Sequence, residues 1–292
     1  MDSSSRNRIR YRLLALGVVA PVLVACTSYK TPEPKATSAP SAPAPAPTGI
    51  KAVTNCQIED SAVADGYVIN ADPWNTSGRL CINSSGRSDF TVSETTVDPS
   101  NVRGGGTLGA YPHIGTRDGG SHGLPAPVTQ LQSSQVTWHM TRPADGGYNT
   151  SLDLWLNPNC NPGAPGAIYT DPNSVEIMVW LNNKNVTPPS AGGDWGGRLV
   201  HFPDAVLGGQ PYHVSVETRS GPKYVVYYER INQVDSVDGL KLADFVQDST
   251  TRRVPSGEAV TPPNSNLCAV QAGFEITYGS QGIRTDSFAF TR

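Results

Sequence analysis

Three carboxylates stand out by what alternates around them. Val175-Glu176-Ile177-Met178-Val179-Trp180-Leu181 has the two-residue period of a β-strand. Val175, Ile177, Val179 and Leu181 make an apolar face, and Glu176, Met178 and Trp180 make the other. Ser151-Leu152-Asp153-Leu154-Trp155-Leu156 splits the same way, with Asp153 and Trp155 opposite three leucines. Val270-Gln271-Ala272-Gly273-Phe274-Glu275-Ile276-Thr277 does so again, with Glu275 opposite Phe274 and Ile276. If the three strands share a sheet, Asp153, Glu176 and Glu275 converge on one surface. A single acid beside a thioether and an indole suits a half-enclosed cleft better than an open strand face.

Facing carboxylates on a concave sheet are equipment for glycoside hydrolysis. One attacks the anomeric carbon or activates water, and the other protonates the leaving oxygen. Repulsion and partial burial separate their affinities for protons, so that one stays ionised while the other holds a proton. Aromatic faces along the same groove offer flat apolar surfaces to sugar rings. Trp74, Trp155, Trp180, Trp195 and Tyr111 are the candidates, each with core packing as its alternative.

Other chemistries lack their residues. His113, His122, His139, His201 and His213 show no metal-ligand spacing, so neither a metal nor another cofactor is expected. Gly104-Gly105-Gly106 lacks the Lys-Ser/Thr of a phosphate loop and reads as a turn.

The elements that must position the acids lie beyond a leader and a spacer. Arg6, Arg8, Arg10 and Arg12 precede an apolar run from Leu13 to Val24, too short for a comfortable membrane span. The run ends in Leu23-Val24-Ala25-Cys26, which resembles a bacterial lipobox, so residues 1–26 read as a lipoprotein signal with Cys26 as the lipidated residue. Residues 27–54 form a Pro/Ala-rich linker, extended and stiff. The expectation is an exported domain, lipid-anchored outside the cytoplasmic membrane and working as a monomer. With the leader's four arginines and Asp2 set aside, 18 basic and 24 acidic residues remain, near −6. No basic patch offers nucleic acid a footprint.

Cysteine usage agrees with export. With Cys26 acylated, Cys56, Cys81, Cys160 and Cys268 remain, an even number without a Cys-x-x-Cys pair. The expected bridges are Cys56–Cys81, stapling an opening hairpin, and Cys160–Cys268, tying the loop after the Asp153 strand to the entry of the Glu275 strand.

Residues 55–292 read as all-β. Strand candidates are Gly66–Asn70, Arg79–Asn83, Asp89–Glu94, Ala110–Gly115, Gln135–Thr141 and Ser151–Leu156, followed by Ser174–Leu181, Arg198–Phe202, Gln210–Thr218, Lys223–Ile231, Ala269–Thr277 and Asp286–Thr291. One helix is expected over Asp238–Asp248, where Leu242, Phe245 and Val246 share a face. Two packed, curved antiparallel sheets of jelly-roll type follow.

Several of these stretches resemble glycoside hydrolase family 12. Glu176-Ile-Met-Val-Trp180-Leu is similar to that family's nucleophile strand, Glu-Ile/Leu-Met-Ile-Trp-Leu. Gln271-Ala-Gly-Phe-Glu275-Ile resembles its acid/base strand, with Gly279-Ser-Gln-Gly282-Ile and Ser287-Phe288 at the family spacing. Tyr148-Asn149 through Asp153-Leu154-Trp155-Leu156 resembles the strand whose Asp bonds the nucleophile, and Tyr67 with Trp74 the early sugar-stacking strand. Cys56 and Cys81 fall where members often carry a disulfide. The resemblance spans about residues 55–292. It implies a jelly roll with one helix on its convex side and a retaining endo-β-1,4-glucanase, acting on cellulose-type, mixed-linkage or xyloglucan chains. It makes Glu176 the nucleophile and Glu275 the acid/base, their carboxyls about 5–5.5 Å apart. Asp153 would orient Glu176 and share a proton with it, and Met178 and Trp180 would line the scissile bond. Three departures bear on substrate. Ala71-Asp72-Pro73-Trp74 replaces Asn-Asn-Leu-Trp, Thr277 stands where a Trp is frequent, and Cys160 and Cys268 are unusual positions. The alternative is a catalytically silent carbohydrate-binding jelly roll that keeps the groove.

Overall fold

A period of two buries one side of a strand against a second layer, and in this chain that layer is another sheet. The computed structural model describes residues 51–103, 107–117, 120–160, 166–193, 197–218 and 221–292. Cys26 and the lipobox, most of the linker, Gly104–Gly106 and Trp195 lie outside the described residues.

In chain order the strands are β1 (Val53–Asn55), β2 (Ser61–Ala62), β3 (Tyr67–Asn70), β4 (Leu80–Ser84) and β5 (Phe90–Thr95). Next come β6 (His113–Thr116), β7 (Ala126–Pro127), β8 (Gln135–Thr141), β9 (Gly147–Asn157) and β10 (Val175–Lys184). The rest are β11 (Arg198–Leu207), β12 (Gln210–Thr218), β13 (Tyr224–Arg230), β14 (Ser236–Lys241), β15 (Asn266–Tyr278) and β16 (Arg284–Thr291). The smaller sheet runs β1-β4-β5-β16-β8-β14. The larger runs β11-β12-β13-β10-β9-β15-β6-β3-β2, with β7 also on β15. This is the expected jelly-roll sandwich.

The core lies between the sheets. Phe274 of β15 meets Phe90 of β5 and Trp138 of β8, each at 5.7 Å between ring centroids. Leu152, Leu154, Leu156, Val175, Ile177, Val179 and Leu181 join the same cluster, so the alternation places the acids of β9, β10 and β15 on the opposite face. A fully buried aromatic of this kind contributes roughly 1.5–3 kcal/mol. Bulges at Trp180/Asn182 in β10 and at Leu267/Ala269 and Ile276/Tyr278 in β15 interrupt their pairing with β9 and bend those two strands.

Four expectations need correction. The sheets are not wholly antiparallel: β10 and β13 run parallel, because β11 and β12 intervene at the sheet edge before the chain returns beside β10. The helix α1 covers Leu242–Thr251, not Asp238–Asp248. Residues 236–241 pair with β8 instead, through a bulge that Gly239 accommodates at φ 63°. Phe245 of α1 packs edge-on against Tyr212 and Tyr228, on the sheet face away from the acids. Strand pairing begins at Val53, two residues inside the segment read as linker.

Both expected disulfides are formed. Cys56–Cys81 joins the end of β1 to β4, which are sheet neighbours but not a hairpin, since β2 and β3 lie between them in sequence and belong to the other sheet. Cys160–Cys268 ties the β9–β10 loop to the bulge in β15.

Candidate active site

The site forms on three adjacent strands, β10, β9 and β15. Across β9, Asp153 is paired with Met178 on one side and Gln271 on the other. Glu176 lies in the row of Trp155, and Glu275 in the row of Asn149. The two glutamates are therefore diagonal across β9, with the rows of Asp153 and Ser151 between them, and both act on the charge of Asp153. Glu176 is 6% exposed, Glu275 7% and Asp153 2%, so all three lie on the floor of a recess.

Charge crowding shows in Asp153. Burial pushes its carboxyl well above the ordinary range, and the nearby Glu176 and Glu275 push it further. Hydrogen bonds from Ser151 Oγ and Tyr111 oppose the rise. Burial and the two glutamates thus favour the protonated form of Asp153. Glu275 accepts a hydrogen bond from Asn149 Nδ2 across the β9–β15 ladder.

Of the aromatic candidates among the described residues, Trp74 is the exposed one, at 45%. Its loop is tied to the segment before β6 by Asn75 N donating to Gly109 O (3.1 Å) and Tyr111 N donating to Asp72 O (3.0 Å). Met178 and Trp180 are buried and pack with Val225 and Tyr227. Trp155 is buried beneath Tyr169, their rings edge-on at 4.7 Å, and its Nε1 donates to Gln271 Oε1 at 3.0 Å. Gln271 Nε2 in turn donates to Tyr169 OH at 3.0 Å. Tyr111 is buried with its hydroxyl turned to the acids. Tyr67 belongs to the core, stacked on His122 and bonded to the Phe290 backbone. Thr277 is buried and donates to Gly147 O at 2.8 Å, so the position where a Trp is frequent serves packing here.

Asp72 was quoted from the sequence only as a departure. It sits at φ 40°, with its carboxyl pushed up to about 6 by burial and by Asp60, against the pull of His113. Ser151 and Gln271 were on the acid-bearing face by alternation, but nothing in their types marked them as partners. Tyr169 stands in a loop without a period, so no sequence signal pointed to it.

No protein-family model matches the chain, and no curated protein matches it. Solved structures do. An endoglucanase from Rhodothermus marinus superposes with a TM-score of 0.67 at 26% identity, over 82% of this chain and 98% of that one. A metagenome-derived glycoside hydrolase family 12 endoglucanase gives 0.68 at 24% identity, over 82% and 97%. A family 12 xyloglucanase from Bacillus licheniformis gives 0.62 at 21% identity, over 82% and 99%; at the last two identities the likeness is one of fold. The sandwich described above matches the fold of these glycoside hydrolase family 12 structures.

Proposed function

We propose that the chain is a retaining, endo-acting glycoside hydrolase that cleaves β-1,4-glucan through a covalent glycosyl-enzyme intermediate. The observation that carries this reading is the trio of carboxyls on β9, β10 and β15, with the proton on Asp153 favoured by burial and by Glu176 and Glu275. The likeness to an endoglucanase and a xyloglucanase supports a β-glucan substrate.

In this reading Glu176 attacks the anomeric carbon while Glu275 donates a proton to the departing oxygen. The glycosidic bond breaks and an ester to Glu176 forms. Glu275, now ionised, takes a proton from water, which attacks the same carbon and frees Glu176. Two inversions give net retention. A separation of about 5–5.5 Å between the two carboxyls leaves no room for a water beneath the sugar, so the carboxylate itself attacks. Asp153 gives Glu176 a hydrogen bond when it is an anion, and that bond weakens as its charge passes into the ester. Export and acylation of Cys26, supported by the lipobox, would hold the domain at the cell envelope.

Azide decides the roles. Glu176→Ala vacates the nucleophile's side, and azide entering there gives the α-glycosyl azide. Glu275→Ala removes acid assistance, and azide intercepting the ester on Glu176 gives the β-azide. Proton NMR distinguishes them. The same anomer from both variants would overturn the assignment. A wild-type protein that binds glucan and hydrolyses none would be the binding jelly roll.

A further inference from the structure

Tyr111 is placed for something other than holding a sugar face. It lies just ahead of β6, and its ring crosses β15 at Gly273. A Cβ added to Gly273 would stand 2.5 Å from Pro112 O, 2.6 Å from His113 Cβ and 2.9 Å from Tyr111 Cε2. Glycine there is what lets the ring lie flat over the strand. The His113 ring stacks on its other side, centroids 4.9 Å apart and planes 25° off parallel. Fixed from both faces, the phenol reaches the Asp153 carboxyl with a hydrogen bond. The same hydroxyl also donates to Ser151 O at 3.3 Å. Burial and the field of Asp153, Glu275 and Glu176 hold the phenol neutral, so it remains a donor.

We infer that Tyr111 and Ser151 act as a two-donor clamp on Asp153, fixing its carboxyl so that its own proton is directed to Glu176. The argument is one of valence. Ser151 Oγ donates to Asp153 Oδ1, and Tyr111 donates to the same carboxyl. A protonated carboxyl has a single proton to give. The two incoming donors occupy lone pairs of the carboxyl, which leaves its own proton for the neighbour on β10. Tyr111 is thus a positioning residue, acting through Asp153. The titratable groups that act on this centre are Glu176 on β10, Glu275 on β15 and Tyr111 itself, with His113 of β6 stacked on the Tyr111 ring and acting in turn on Asp72.

The test is Tyr111→Phe, which keeps the ring and removes the hydroxyl. Glu176 raises the proton affinity of Asp153, which makes the two carboxyls an interacting pair. Losing a donor disfavours the pair's anion, so its proton affinity rises. The acid limb of kcat/KM is expected to move up by about one pH unit, with kcat about tenfold lower and KM within about twofold. The kinetic part rests on the hydrolase reading. A second readout does not: in protein labelled with ¹³C-aspartate, the carboxylic-acid band assigned by its loss in Asp153→Asn should titrate at higher pH in Tyr111→Phe. If wild type hydrolyses nothing while this band still moves, the proposed function fails and the clamp stands. If band and limb both stay where they are in wild type, the clamp is wrong. A raised KM with both unchanged would return Tyr111 to sugar binding and also overturn it. Ser151→Ala, removing the other donor, must move the same band in the same direction, and serves alone should Tyr111→Phe not fold.

Discussion

Asp72→Asn should stabilise the protein, and only above acid pH. Asp72 is ionised in the unfolded chain above its ordinary value of 3.8, but in the fold its carboxyl is pushed up to about 6. Between those values the folded state holds a proton that the unfolded state has lost, so stability falls as pH rises. Below 3.8 both states are protonated and the term vanishes. Above 6 the folded state carries the whole cost. The rise from 3.8 to about 6, at about 1.4 kcal/mol per pH unit, comes to about 3 kcal/mol. Asparagine is neutral, nearly the same shape, and tolerates the φ of 40° found here. Urea unfolding of both proteins at pH 4 and pH 8 gives the comparison. Any shape effect of the amide is common to both pH values, so the predicted quantity is the growth of the gap. It should be about 0.5 kcal/mol at pH 4 and about 3 kcal/mol at pH 8, in favour of the variant. A gap flat across this range, or one that shrinks as pH rises, would refute the reasoning.

Trp74→Ala should raise KM on long glucan several-fold and leave kcat on an activated short glycoside unchanged, because stacking away from the bond being broken supplies binding. An unaltered KM would assign Trp74 to packing. Replacing Cys160 and Cys268 by alanine should lower stability by about 5 kcal/mol and replacing Cys56 and Cys81 by about 3.5, following their sequence separations of 108 and 25. A larger loss from the shorter loop, read in urea, would contradict that ordering. Wild type should partition into detergent and Cys26→Ser into the aqueous phase; equal aqueous partitioning would exclude acylation.

The acid-bearing strands were legible because they obey a single rule over six or more residues. Leu152, Leu154 and Leu156 mark the core side without ambiguity, and that fixes Asp153 on the other. The same rule hid the true length of β9, since Asn149 and Thr150 are polar yet buried in the ladder. Asp238–Lys241 reads as the lead of a helix because Gly239 breaks the alternation, and a bulge pairing with Val136 and Trp138 leaves no period to detect. Pairing direction is likewise silent in the residues: nothing in Val175–Lys184 or Tyr224–Arg230 says that they lie parallel. Tyr111 was found as an aromatic, but its orientation depends on the absence of a side chain at Gly273, 162 positions on.

The place of β15 in the larger sheet bears on how the molecule is made. It lies between β9 and β6, yet it is the last strand of that sheet in the sequence. During synthesis β9 and β6 emerge well before their shared partner and present open edges until residues 266–278 arrive. Such edges invite pairing with other chains. Inserting β15 closes both at once, and the same event brings Glu275 to Glu176 and Asp153. Competence for the chemistry thus arrives in the same step that removes the aggregation hazard, so recovered activity would report the completed sheet during refolding.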